Sequence, residues 1–304
     1  MTPIAGFVDD MVAKADCAKH QYCRGFTGFN DIDDMTDGMK KYGLILLAAQ
    51  PGAGKFMFAL NMAGNAAIDY HRRVAFFCME MDSELFVQSL VRSRARIRHS
   101  AIRNHRMTFA EKDRFAATAQ IVKEAPLLVD ERRDWDVAEL TRTVREMNSE
   151  QKLDLVVIDY LQLVTSDKGD TREEKLENVV RELKALSYEL RIPIIVTAML
   201  SRHNERDAGR PKLKDLRELG TTVQLMDSIW ILDRRYIRKH WNEDEHLAEL
   251  YVEKDYGYVP QDGKPRVIFL KCFAEYSLYS DIDEDESKGV YWDFAMTPEE
   301  DSDR

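Results

Sequence analysis

Ala49-Gln50-Pro51-Gly52-Ala53-Gly54-Lys55-Phe56-Met57 follows an apolar run, Leu44-Ile45-Leu46-Leu47, and opens an apolar-periodic stretch containing Phe58, Leu60 and Met62. A strand, a turn with Gly52 and Gly54, a lysine and then a helix is the layout of a phosphate-binding loop. Its candidate phosphate contacts are Pro51, Gly52, Ala53, Gly54, Lys55 and Phe56. One residue departs from that layout. The position after the lysine ordinarily carries a Ser or Thr whose hydroxyl ligates the Mg²⁺ of a bound nucleoside triphosphate. Here it is Phe56, and Met57 offers no hydroxyl either. The loop reads as one able to hold a triphosphate but short of a part needed to split it.

Beyond the loop, short apolar runs alternate with helical patterns. Strands are expected at Leu44–Ala48, Val74–Cys78, Leu127–Val129, Leu155–Ile158, Ile194–Thr197 and Ile229–Leu232. Helical patterns lie near 55–69, 83–97, 110–124, 136–149 and 172–190. This alternation predicts an α/β domain with a mostly parallel sheet covered by helices on both faces. Leu250–Val252 and Val267–Leu270, separated by Gly257, Pro260, Gly263 and Pro265, read as an antiparallel extension at one edge. Ile4, Phe7, Val8, Met11, Val12 and Ala15 fall on one helical stripe, which must bury itself on its own domain or on a neighbour. The expected organisation is an amphipathic helix within 1–24, one domain over 25–280 and an acidic tail over 281–304.

Composition narrows the classes. The chain has 304 residues, 44% hydrophobic and 32% charged, the balance of a globular protein with a substantial core. No apolar run approaches the roughly 20 residues of a membrane span, and no basic-then-apolar leader is evident. A cytoplasmic protein without membrane contact is expected. Cys17, His20 and Cys23 lack zinc-site spacing. The net charge of −10 argues against a generally basic nucleic-acid binder. Residues 281–304 hold ten acids against two bases, so most of that charge sits in the tail. Such a tail reads as a solvated terminus or as a lure for a basic partner surface.

Two acids stand at strand ends. Asp159 closes Leu155-Val156-Val157-Ile158, at the crevice where open α/β sheets bind ligands. There it is placed to hold Mg²⁺, directly or through water, or merely to cap the next helix. Glu80 follows Val74–Met79 and either polarises an attacking water or caps the helix near Ser83.

Several segments together spell a family. Thr27-Gly28-Phe29-Asn30-Asp31-Ile32-Asp33, Ala48-Ala49-Gln50-Pro51, Met79-Glu80-Met81, Ile158-Asp159-Tyr160-Leu161-Gln162-Leu163, Leu183-Lys184-Ala185-Leu186 and Asp215-Leu216-Arg217-Glu218 occur in this order. In order and spacing, from about Gly25 to about Leu278, they resemble the C-terminal motor domain of DnaB-type replicative helicases. The resemblance implies a RecA-like P-loop NTPase fold, ATP and Mg²⁺ as cofactors, and a hexameric ring around single-stranded DNA with ATP at subunit junctions. It implies that Gly54 and Lys55 cradle phosphate, that Asp159 organises the metal and that Glu80 is the general base. It also implies that Lys254 reaches a neighbour's phosphate. Three positions depart from the family pattern: Phe56 replaces the Mg²⁺-ligating Thr, Met199 replaces a γ-phosphate-sensing Gln, and Tyr256 replaces the arginine finger. Arg234, Arg235 and Arg238 are the candidates for a relocated finger.

The stretch Arg202–Lys214 carries Arg202, Arg206, Arg210, Lys212 and Lys214 against Glu205 and Asp207. A basic loop after a sheet strand can neutralise DNA phosphates without reading sequence. The resemblance adds Arg217, Glu218 and Gly220 as the segment touching the DNA backbone. It also likens the helix at 4–15 to a linker helix that docks on an adjacent subunit.

The leading expectation is a replication-associated protein that binds nucleotide or single-stranded DNA and self-assembles or engages a replicative helicase or its loader, with absent or very weak hydrolysis. The runner-up is an active ATP-dependent 5′–3′ helicase with relocated catalytic groups. A third reading is a protein-binding decoy that uses neither ligand.

Overall fold

The computed structural model describes residues 27–36, 38–40, 42–200, 210–239, 244–257 and 264–282. The predicted helix at 4–15, the tail beyond Ile282, and Arg202 and Arg206 lie outside the described residues.

In chain order the elements are α1 (Asn30–Thr36), β1 (Gly43–Ala49), α2 (Lys55–Gly64), β2 (Val74–Cys78), α3 (Ser83–Ala95), α4 (His99–Arg103), α5 (Phe109–Glu124), β3 (Leu127–Asp130), α6 (Val137–Glu150), β4 (Leu155–Asp159), α7 (Arg172–Leu190), β5 (Pro193–Met199), β6 (Ser228–Asp233), α8 (Arg235–Lys239), β7 (Leu247–Asp255), β8 (Arg266–Phe273) and β9 (Leu278–Asp281). One nine-stranded sheet runs β3-β2-β4-β5-β1-β6-β7-β8-β9. The first six strands in that order are mutually parallel, and β7, β8 and β9 extend the sheet antiparallel.

The strand side chains explain the two covering layers. Ile45, Leu47 and Ala49 join α2 residues Phe58, Leu60 and Met62 on one face. Leu44, Leu46 and Ala48 join Leu140 and Val144 of α6 and Val179, Leu183 and Leu186 of α7 on the other. Every residue of β1 is buried, because successive side chains leave opposite faces and both faces are covered. Among the described residues no helix is long and apolar enough to cross a membrane.

Helix starts follow local chemistry. Asp82 accepts from Leu85 N at 2.8 Å and caps α3. Thr108 with Glu111, and Thr171 with Glu174, form reciprocal capping boxes, each worth about 0.5–2 kcal/mol to its helix. The cap of α3 is therefore Asp82, which removes the capping alternative for Glu80. The elements missing from the sequence reading are the short ones: α1, α4, α8 and β9. Asp281 ends β9 and accepts the Asn30 N–H at 3.0 Å, so it is part of the sheet edge rather than of the tail.

The segment leading into the sheet is held by a carboxylate. Asp33 accepts from Thr27 N and Thr27 Oγ1, each at 2.9 Å. Burial, partly offset by these bonds, lifts its pKa to about 6. A carboxyl raised above its unfolded value binds its proton more tightly when folded, so its contribution is complete below about pH 4 and declines as pH rises through about 6. The loss is at most about 3 kcal/mol. We expect the urea midpoint to fall between pH 4.5 and 6.5, and the Asp33→Asn variant to show a flatter profile over that window. A parallel profile in the variant would remove Asp33 as the cause.

Candidate functional site

The phosphate loop leaves the carboxyl end of β1 and turns immediately into α2. Gly52 and Gly54 hold φ of +87° and +88°, a region open to glycine at little cost. Gly54 is also crowded: an added Cβ would lie 2.8 Å from the Tyr279 hydroxyl and 2.9 Å from Met57 Cε. Ala53 N bonds Gln50 O at 3.1 Å and Phe58 N bonds Gly54 O at 2.9 Å, so the turn passes directly into the helix. Free amides at a helix start facing a crevice suit an anion.

Lys55 does not extend into solvent. Its Nζ sits 3.3 Å from Asp159 Oδ1 and 4.3 Å from the centre of the Tyr160 ring. Lys55 is 8% exposed and Asp159 fully buried. Thr197 Oγ1 donates to the same Asp159 oxygen. The β4–β5 register aligns Ile158 with Val196, which brings Asp159 and Thr197 together in the next row. Asp159 Oδ2 is buried with no hydrogen-bond partner. The structure thus brings Lys55 and Asp159 together as the sequence predicts. It adds Tyr160 and Thr197, which the sequence reading did not single out although each adjoins or pairs with Asp159.

Phe56 points into the core. Its ring lies 6.2 Å from Phe76 and 6.0 Å from Phe86, both edge-on. A divalent ion of the Mg²⁺ kind wants several hard oxygens in a tight octahedron. At a nucleotide site most of those oxygens come from phosphates and water, with one or two from the protein. Among the described residues at this edge, Asp159 keeps one carboxylate oxygen without a hydrogen bond and Glu80 is exposed, while position 56 supplies an apolar ring in place of an oxygen.

Glu80 lies two residues beyond Cys78, which pairs with Asp159 across β2 and β4, and its side chain is exposed. It therefore stands on the same sheet edge as Asp159. Met199 ends β5 beside the loop. Its carbonyl accepts from Gln162 Nε2 at 3.3 Å, and its thioether offers no proton to a phosphate.

Lys254 and Tyr256 sit toward the other end of the sheet. Lys254 pairs with Ile229 and Asp255 with Ser228 near the start of β6, while the loop follows the end of β1. Neither residue can serve the chain's own Lys55 loop from there. Lys254 Nζ donates to Met226 O at 2.6 Å and Gln224 O at 3.1 Å; desolvation and then Lys184 lower its pKa. Tyr256 is turned inward, with an added Cβ on Gly43 falling 2.6 Å from its ring. Its hydroxyl is buried without a partner, and burial pushes the phenol far above its usual range. It presents nothing to a neighbour in the manner of an arginine finger.

The relocated-finger candidates are engaged elsewhere. Arg234 donates to Glu245 O at 2.7 Å. Arg235 pairs with Glu249 at 2.7 Å, an acid that also accepts the Tyr251 hydroxyl at 2.6 Å. The side chain of Arg238 lies outside the described ones.

The basic segment is only partly described. Arg210 pairs with Glu253 at 2.7 Å and lies over the Tyr251 ring, so its charge is largely spent within the domain. Lys212 is exposed. The side chains of Arg217 and Glu218 lie outside the described ones. Gly220 holds φ +50° and ψ −133° in a turn facing Glu173.

A RecA-like α/β sheet with a glycine-built phosphate loop at the end of its central strand, a lysine in that loop and an acid two strands away defines a P-loop nucleotide-binding domain. The matching family model is the DnaB-like helicase C terminal domain, over residues 26–277, and the chain belongs to that family. It is 29% identical over 84% of its length to "Replicative DNA helicase DnaB" of Geobacillus stearothermophilus. It is 32% identical over 84% of its length to "Probable replicative DNA helicase" of Trieres chinensis. The chain spans 56% of each of these relatives. Among solved structures, an ATPase domain superposes with a TM-score of 0.84 at 26% identity, covering 93% of this chain and all of that one. A DnaB-like replicative helicase, solved in a study of its interactions with primase, superposes with a TM-score of 0.82 at 26% identity, covering 91% of this chain and 68% of that one.

The role of Phe56 as a core contact is measurable. Phe56→Thr removes two edge-on ring contacts and leaves a half-buried hydroxyl, and should cost about 2 kcal/mol in urea unfolding. A loss below about 0.5 kcal/mol would mean that the ring does not anchor the helix.

Proposed function

We propose that this domain is a DnaB-like replication component that holds a nucleoside triphosphate and single-stranded DNA in an assembly with helicase protomers, and that turns ATP over very slowly or not at all. The observation that carries the reading is the direction of Phe56: where the family places a metal-ligating alcohol, this chain places a ring packed on Phe76 and Phe86. Tyr256 and Met199 support it. An arginine finger is typically worth 10³–10⁵ in turnover, about 4–7 kcal/mol of barrier. A buried neutral phenol supplies none of that charge, and Arg234 and Arg235 are already engaged within the chain.

In this reading Gly52, Gly54 and Lys55 bind the phosphates, after Lys55 leaves Asp159. Asp159 and Glu80 stand where the family's metal-organising and general-base carboxylates stand. When bound, Mg²⁺ in such sites neutralises β- and γ-phosphate charge; here its grip is weak because position 56 gives it no oxygen. Arg202, Arg206, Lys212 and Arg217 carry the DNA backbone contact. Arg210 contributes less, being paired with Glu253. Lys254 faces a neighbouring protomer's nucleotide, and the helix at 4–15 docks on that neighbour. Partners are therefore other copies of this chain, a replicative helicase or its loader. The compartment is the cytoplasm.

Titration with a fluorescent ATP analogue tests the nucleotide half. Affinity in EDTA should match that in Mg²⁺ within about threefold, and Lys55→Ala should abolish binding. An increase above tenfold on adding Mg²⁺, or unaltered binding by Lys55→Ala, would contradict it. For DNA, Arg202→Ala with Arg206→Ala should flatten the salt dependence of oligo-dT binding by about 1.4 log units per log salt. An unchanged slope would remove this loop from the interface.

A further inference from the structure

The phosphate loop rests on a strut from the far edge of the sheet. Tyr279 lies on β9, the last strand, and is 2% exposed. Its ring packs edge-on against Phe58 of α2 at 5.2 Å. Its backbone N–H donates to Asn61 Oδ1 at 2.7 Å, and Asn61 Nδ2 returns a bond to Ser277 O at 3.1 Å. These contacts seat the tyrosine beneath the start of α2. From there its hydroxyl donates to the carbonyl of Ala53, inside the loop itself.

That last bond has a geometric consequence. A trans peptide is planar and carries its C=O and N–H on opposite sides. With the Ala53 carbonyl held down toward Tyr279, the Gly54 N–H of the same peptide is turned the other way, away from the core. Gly54 is also the residue that lets the hydroxyl approach, since any Cβ there would collide with it. The two residues are matched: one needs the other's missing side chain.

We infer that Tyr279 is a positioning residue for anion binding, fixing the Ala53–Gly54 peptide so that the Gly54 amide is preset to donate to a phosphate. The inference rests on the proposed reading of the loop as a phosphate site. It extends that reading by making the site depend on the C-terminal β8–β9 hairpin, outside the loop motif. The hydroxyl stays a donor across the usable pH range, because burial holds the phenol well above its ordinary pKa. Preorganised donors bind more tightly than those ordered on binding, since the ordering cost is already met.

Tyr279→Phe removes the O–H, and with it the bond to Ala53 and the contact with the Cys272 thiol, and keeps the ring on Phe58. The full chain labelled with ¹⁵N-glycine reports on the peptide directly. In the parent, Gly54 should give one sharp amide resonance that moves on adding ATP or inorganic tripolyphosphate. In Tyr279→Phe it should broaden or split before any ligand is added. Affinities for ATP and tripolyphosphate should fall together by about tenfold, because the effect lies at the phosphates and not at the base. A merely structural role would move the melting temperature and leave the Gly54 resonance single and responsive. An unaltered Gly54 signal in the variant overturns the inference, whatever the affinity. If the parent binds neither ATP nor tripolyphosphate, the phosphate-site reading fails, and the unliganded Gly54 spectrum still decides whether Tyr279 fixes the peptide.

Discussion

The contact between Lys55 and Asp159 organises the ligand end of the domain. Two charges held 3.3 Å apart at 8% and 0% side-chain exposure are stable only because each compensates the other's desolvation, and removing one partner of such a pair typically costs about 3–5 kcal/mol. The pair requires β1 and β4 to end at the same level with only β5 between them, which the strand order supplies. It requires Thr197 in the row beside Asp159 and Tyr160 against the ammonium. A ligand with several negative charges is the natural competitor for Lys55. The contact that stabilises the crevice therefore also sets what Lys55 can exchange it for.

Around this pair, the residues associated with chemistry divide into those that still face the crevice and those that have turned into the protein. Lys55, Asp159 and Glu80 belong to the first group. Phe56 and Tyr256 belong to the second: one completes an aromatic group with Phe76 and Phe86, the other fills the space that Gly43 leaves by lacking a side chain. A phosphate-facing hydroxyl or guanidinium contributes to turnover through charge, whereas these rings contribute to folding through burial. Lys254 is bonded within the domain to the Gln224 and Met226 carbonyls.

Most of the sheet was legible because strands covered on both faces read as continuous apolar runs. Val74–Cys78 reads from sequence with the bounds it has in the structure. The long helices were legible through their apolar spacing, and the structure adds their caps, Thr108, Asp136 and Thr171. The phosphate loop was legible because only glycine tolerates its backbone. What sequence did not reveal depends on contacts between distant segments. Nothing near Leu278-Tyr279 marks a four-residue strand, and nothing marks its tyrosine as bonded to Ala53 from 226 positions away. The pairing of Arg210 with Glu253 left no trace in the sequence because the two lie 43 positions apart. The inward turn of Tyr256, which has a left-handed backbone of φ +41° and packs over Gly43 from 213 positions away, is likewise not set by side-chain identity.

The proposed function turns on whether the loop holds phosphate without splitting it. Steady-state phosphate release with Mg²⁺, ATP and single-stranded DNA measures this directly, with Lys55→Ala as the background. The account predicts release indistinguishable from that background at saturating DNA. Release that scales with protein concentration, responds to DNA and disappears in Lys55→Ala would contradict it.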